Sequence, residues 1–227
     1  MKNTILIVLI SLVCSCGKDK ILHLPEVDHS EISEINDVSP AYLFYDTTQK
    51  DSVELNRKNL ISTTNWLVNV DKRLTLKQAI PHIKFLQDKK QNSSHKNKNA
   101  KNYFTCNDIS KKNLGFIDFT DVVYIKKSII NVLADNHSIP NNTLIIHFDS
   151  SKNIKINSFF DKINITHSNI SELNHSITSL SENKNNASVL LCFDDHLSFN
   201  EYILFKSVLS RLKSKSISIS KNEFISN

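Results

Sequence analysis

Glycine is almost missing from this chain: among its 227 residues only Gly17 and Gly115 are glycine. A loop that cradles phosphate needs several glycines, because only they let the backbone bend and approach an anion closely. P-loop and dinucleotide-fingerprint chemistry is excluded on that ground. Serine is abundant, yet no Gly-x-Ser-x-Gly nucleophile elbow exists. No apolar run is long enough to cross a bilayer. A helix over residues 4–15 would span about 18 Å, against a hydrocarbon core of about 30 Å. Arginine is scarce beside lysine, and the net charge of +5 comes from scattered lysines and the run His95–Lys101. Nucleic-acid surfaces interleave arginine with aromatics along one face, so nucleic acid is not an expected partner. The many Asn-x-Ser/Thr triplets follow from a bias toward Lys, Asn, Ile and Ser and are not read as glycosylation sites.

What the chain does have begins at its amino end. Lys2 gives a short positive region, Ile5 to Val13 is apolar apart from Ser11, and Val13-Cys14-Ser15-Cys16-Gly17 follows. That length suits a signal peptide, residues 1–15. The segment resembles a bacterial lipobox, with an apolar residue at Val13, a small residue at Ser15 and the acceptor at Cys16. Cys14 fits less well, since Val13 would then stand where a small side chain belongs. The resemblance implies a palmitate-type anchor on Cys16 in the cell envelope, a membrane held through lipid, and an outer-membrane address in preference to the inner one. The alternative is an uncleaved hydrophobic tail. Residues 16–40, with Pro25 and Pro40 and no clear period, read as lipidated Cys16 and a tether.

From residue 41 the pattern is α+β and runs twice. In 41–135, aromatic Ala41–Asp46 and Asn65–Asp71 read as strands. A helix carries Leu76, Ile80, Ile83 and Leu86, with Thr75 and Gln78 as a capping box. Pro81 inside it predicts a kink or a later start. A strand at Tyr103–Asp108 and an apolar run from Leu114 to Ile125 follow. In 141–227, Thr143–Asp149 and Ile154–Ile156 read as strands. Asn169 and Glu172 can cap a helix with Ile170, Leu173, Ile177 and Leu180, and Val189–Asp195 is a strand ending in acids. Ser198 and Glu201 form a capping box for a helix through Leu212, before a last strand at Ile217 and Ile219. The reading is two similar strand-strand-helix-strand units, the second ending in a further helix and strand. The closest verbal match between them sets Phe44–Thr48 against His147–Ser151.

The order of elements over 143–220, including Ile145–Asp149, Ile154–Ile156, Leu190–Asp194 and the Tyr202–Leu212 helix, resembles the periplasmic domain of ExbD/TolR-type proteins. That resemblance implies a fold and a habit of pairing with envelope partners. It implies no motor role, because the transmembrane helix with its proton-coupling acid has no counterpart.

Two carboxylate–imidazole groupings stand near strand ends: His147 with Asp149, and Asp194-Asp195-His196. On one rim, His147, Asp149, Asp194 and His196 offer the donor set of zinc or another divalent metal. The plain reading is that acids after strands hold loop N–H groups in Asx turns and that His147 is buried. Cys106 and Cys192 are either a disulfide of an oxidising compartment or two small buried hydrophobes. Tyr42, Phe44, Tyr45 and Trp66 are either an exposed binding face or core. Three functions remain open from sequence: a non-enzymatic envelope lipoprotein with a protein or cell-wall partner and no cofactor, a metal-binding protein or metal-dependent enzyme, and an envelope assembly factor that dimerises through the ExbD/TolR-like module.

Overall fold

The computed structural model describes residues 20–95, 97–129, 131, 142–160, 163–182, 184, 186–212 and 216–227. The signal segment and Cys16 lie outside the described residues. Strands form where apolar side chains alternate or run continuously between turn residues, and helices where they recur every three or four. In the first unit these are β1 (Glu26–Val27), β2 (Val38–Tyr45), β3 (Val53–Asn56), β4 (Asn65–Val70), helix α1 (Leu76–Gln91), β5 (Asn102–Asp108), β6 (Asn113–Asp118) and β7 (Val123–Ile125). The second unit holds β8 (Thr143–Ser150), β9 (Asn153–Phe159), β10 (Ile163–Ser168), α2 (Leu173–Leu180), β11 (Ala187–Asp194), α3 (Phe199–Ser210) and β12 (Ile217–Ser226).

The elements build an α+β fold with two sheets. In the first, hairpin β2–β3 is followed by β4 and β5, both parallel to β2, with β6 antiparallel on the outer edge of β5. In the second, hairpin β8–β9 is followed by β11 and β12, both parallel to β8, with β10 outside β9 and β7 outside β12. The two similar units expected from sequence are present, and the second does end in a further helix and strand. The match runs β4-α1-β5 onto β11-α3-β12, with β10 and α2 interposed in the second unit. β7 lies within residues 41–135 but pairs with β12, so the second sheet is completed by a strand from the first unit.

Helix α1 runs straight through Pro81. Proline removes one bond to the carbonyl four residues back. The helix start is held otherwise. Thr75 and Gln78 form the capping box, as Ser198 and Glu201 do for α3. The first-turn N–H groups, which have no partner within a helix, are met across the molecule. Leu76 N–H donates to Leu197 O (2.9 Å) and Phe199 N–H to Leu74 O (2.6 Å). Lys77 N–H donates to Asp195 O (2.8 Å) and Asn200 N–H to Lys72 O (3.3 Å). The pattern is reciprocal about a bridge between Thr75 and Ser198. It defines a local pseudo-dyad that carries Asp71–Ile80 onto Asp194–Ile203.

Both helices share one core with both sheets. Phe104 of β5 stacks on Phe119 and meets Phe199 and Tyr202 of α3 edge-on. Phe205 on the same helix packs against Phe148 of β8. Trp66 is core, beneath the Lys90 ammonium, whereas Tyr42 and Phe44 stack half-buried on the outer side of β2. Cys106 and Cys192 are buried free thiols in separate clusters of apolar residues.

Residues 23–32, within the stretch read as a tether, lie on the fold as a strap. β1 pairs with the end of β5, beyond the reach of β4. The chain then crosses over hairpin β5–β6, and Ile32 bridges to Phe116. Ser30 rests at Gly115, where an added Cβ would stand 2.5 Å from Ser30 Cβ. The one glycine in the folded part is therefore fixed by the crossing strap and not by a turn. We expect Gly115→Ala to cost about 1–3 kcal/mol through overpacking, read as a lower urea midpoint, with a normal midpoint restored if Ser30 is also changed to glycine.

Candidate functional site

Acids that end strands account for most of the polar geometry at the strand rims. Asp46 accepts from Thr48 N–H (3.0 Å), Asp118 from Thr120 N–H (2.9 Å) and Asp194 from His196 N–H (2.7 Å). Asp108 accepts from Lys111 N–H (2.9 Å) and Ser30 N–H (2.7 Å). Those at Asp46, Asp118 and Asp194 are Asx turns, the plain reading of the sequence, while Asp108 holds its own loop and the strap. Asp71 is fully buried and accepts from the Arg73 backbone and from two guanidinium nitrogens at 2.8 Å. Burial pushes its pKa up, but the Arg73 bonds outweigh that and hold it below the ordinary carboxylate value.

The pseudo-dyad places His196 where Arg73 stands and Asp194 where Asp71 stands. His196 Nδ1 lies 3.1 Å from Asp194 Oδ1, the counterpart of the Arg73–Asp71 contact. The difference is at Asp195, which replaces Lys72. Asp195 is 7% exposed, and its Oδ1 makes no hydrogen bond, although His196 Nδ1 lies 3.0 Å away. Ligand-capable atoms of Asp194, Asp195 and His196 all fall within 4.8 Å of one another. His147 and Asp149 are not part of this group. His147 lies on β8, directly across from Cys192 of β11 and Lys155 of β9. Its pKa is lowered, first by burial and then by Lys155. Asp149 is exposed and accepts from the Asn153 side chain (3.2 Å). Neither cysteine is poised as a nucleophile, since burial raises both thiols to about 12.

A buried polar chain between the units has no signature in local sequence. Glu223 of β12 is 1% exposed. It accepts from Tyr202 Oη (2.7 Å) and pairs with Lys206, both on α3. Tyr202 Oη lies 3.2 Å from Tyr124 Oη of β7. Burial, then the Glu223 charge, raises both tyrosines well above their ordinary value. The only trace in sequence is that Tyr202 and Lys206 stand four apart, on one helix face. Lys206 also lines a cavity of about 260 Å³ with Ile32, Phe116, Ile117, Leu191 and Ile219.

A larger groove, about 410 Å³, lies along α1. Leu76, Ile80, Pro81, Tyr124 and Ile225 give it an apolar lining, with Lys77, Lys84, Lys126, Asp88 and Asp195 around them. Phe85, on its wall, is 45% exposed under the Arg57 guanidinium. Lys84 donates to Tyr124 O (2.9 Å), while Lys77 and Lys126 make no ion pair among the described residues. Position alone hid this groove from sequence reading: its walls come from α1, β7, β12 and the end of β11.

Removing one member of a buried charged pair leaves the other uncompensated. Lys206→Met is therefore expected to cost about 3–5 kcal/mol in urea unfolding. Lys206→Met with Glu223→Gln should recover a large part of that loss. Equal stability of the single and double variants would show that the pair carries no such weight.

No protein-family model, curated protein or solved structure matches this chain.

Proposed function

We propose that this protein is a bacterial envelope lipoprotein, anchored through lipidated Cys16, whose folded part binds a protein or cell-wall partner without catalysing a reaction. The observation that carries the binding role is the open apolar groove along α1, with Phe85 exposed on its wall. Asp71 and Asp194 have structural partners, and burial keeps the Cys106 and Cys192 thiols inert. Among the described residues, no helix is long and apolar enough to cross a membrane. Lys20 already bonds to Asp46 (2.7 Å) and Glu54. Extended chain covers at most about 3.6 Å per residue, so a lipid on Cys16 would sit within about 14 Å of Lys20. The fold would then lie close to the membrane surface and not at the end of a long tether.

Labelling cells with a clickable palmitate tests the anchor. We expect wild type to carry the label and fractionate with membranes, and Cys16→Ala to lose both. Label that persists in the variant, or is absent from wild type, would overturn it.

A second reading is favoured by the buried, hydrogen-bond-free Oδ1 of Asp195 beside Asp194 and His196. These three side chains offer a carboxylate–imidazole set that suits zinc or a similar divalent ion. Calorimetric titration of chelator-treated protein with zinc should show one site, lost in both Asp195→Asn and His196→Ala. Heat indistinguishable from dilution would end the metal reading.

A further inference from the structure

The groove along α1 has a counterpart on α3 that the strap partly fills. The pseudo-dyad that carries α1 onto α3 takes three groove residues, Lys77, Lys84 and Asp195, onto Asn200, Ser207 and Lys72. All three of those hold the strap. Glu26 N–H donates to the Asn200 side chain (3.0 Å), and Ser207 Oγ donates to His29 O (2.9 Å). Lys72 gives its N–H to His23 O (2.7 Å) and its ammonium to Glu26 (2.7 Å). The outer residues Pro81, Phe85 and Asp88 correspond to Leu204, Val208 and Arg211, which line an open hollow of about 510 Å³ with Asp28, Ile170 and Asn174. Asn174 of α2 also donates to Val208 O (2.8 Å). The strap thus crosses the inner stripe of α3, whereas on α1 the only hydrogen bond at the matching place, among the described residues, is that of Lys84 with Tyr124 O.

The strap also shows what chemistry such a stripe accepts. Between Leu22 and Glu31 it alternates apolar Leu24 and Val27 with acidic Glu26, Asp28 and Glu31. Val27 is buried, and Glu26 is held by a lysine. The groove along α1 offers the matching features: exposed apolar side chains at Pro81 and Phe85, and beside them the exposed Lys77 and Lys126, which pair with no acid among the described residues.

We propose that the groove along α1 binds an extended peptide of a partner protein, in which apolar and acidic residues alternate as they do in the strap. The peptide lies along α1 as residues 23–29 lie along α3, with an apolar side chain toward Pro81 and Phe85 and carboxylates toward Lys77 and Lys126. This deepens the reading of the folded part as a binder. It is independent of the anchor, because lipid labelling can fail without touching it.

The probe is a fluorescent peptide with the sequence of residues 22–31, carrying a photo-crosslinker in place of Val27, titrated into the full chain in detergent. We expect saturable binding that weakens at least tenfold in Lys77→Glu with Lys126→Glu. Both side chains are exposed, and circular dichroism verifies that the variant folds. Crosslinks should map to residues 77–88 and 124–126. Absence of saturable binding, or equal binding by the variant, would overturn the proposal. So would crosslinks on α3, meaning that the peptide displaces the chain's own strap. A concentration-dependent dimer dissolved by Lys77→Glu would make the groove a contact between copies, which also overturns it.

Discussion

Four hydrogen bonds about the Thr75–Ser198 bridge tie the start of α1 to the loop before α3, and the start of α3 to the loop before α1. A helix exposes its first N–H groups, and leaving them unmet inside a protein costs free energy comparable to lost hydrogen bonds. Here each helix start supplies carbonyls to the other. Neither unit satisfies its helix alone, so the two sheets are drawn onto one core. Phe104 and Phe193 then meet Tyr202 edge-on, and Phe205 packs against Phe193, where the sheets meet α3.

Polar groups in that interface follow the same logic of mutual satisfaction. Glu223 sits on a strand paired on both edges, where an unpaired carboxylate would be expensive. Tyr202 and Lys206 meet it from α3, and β7 brings Tyr124 across from the first unit. Such a chain fixes the register of α3 against β12 more strictly than apolar packing alone does. At the rims, the Asx turns free the carboxylates from any need for a ligand. Asp195 is the exception, since it stands where the first unit has the surface cation Lys72.

The pseudo-symmetry is more informative where it fails than where it holds. The second unit holds β10 and α2 in addition, and the strap lies against α3 and not against α1. Of these, the strap and α2 reach α3, while on α1 Phe85 stays 45% exposed and Lys77 and Lys126 pair with no acid among the described residues.

Much of this was legible in the residues. The capping boxes at Thr75 and Ser198, the strands ending in acids and the α+β doubling all follow from local periodicity and side-chain chemistry. The strongest internal match was also there to be read: Asp71-x-x-Leu74-Thr75-x-x-Gln78-x-Ile80 against Asp194-x-x-Leu197-Ser198-x-x-Glu201-x-Ile203. The verbal match of Phe44–Thr48 with His147–Ser151 drew attention to the hairpins instead. Other features had no local signature. Residues 23–32 carry Pro25 and neither a helical nor a strict strand pattern, so their place on α3 depends on partners up to 178 positions away, as His29 and Ser207 are. Glu223 looks like an ordinary surface acid until β7 and α3 enclose it. Sequence by itself determined the elements, their caps and their approximate doubling, because those depend on neighbours within a few residues. Only the tertiary structure decided that the strap lies along α3 and not along α1, because that depends on contacts between segments far apart in the chain.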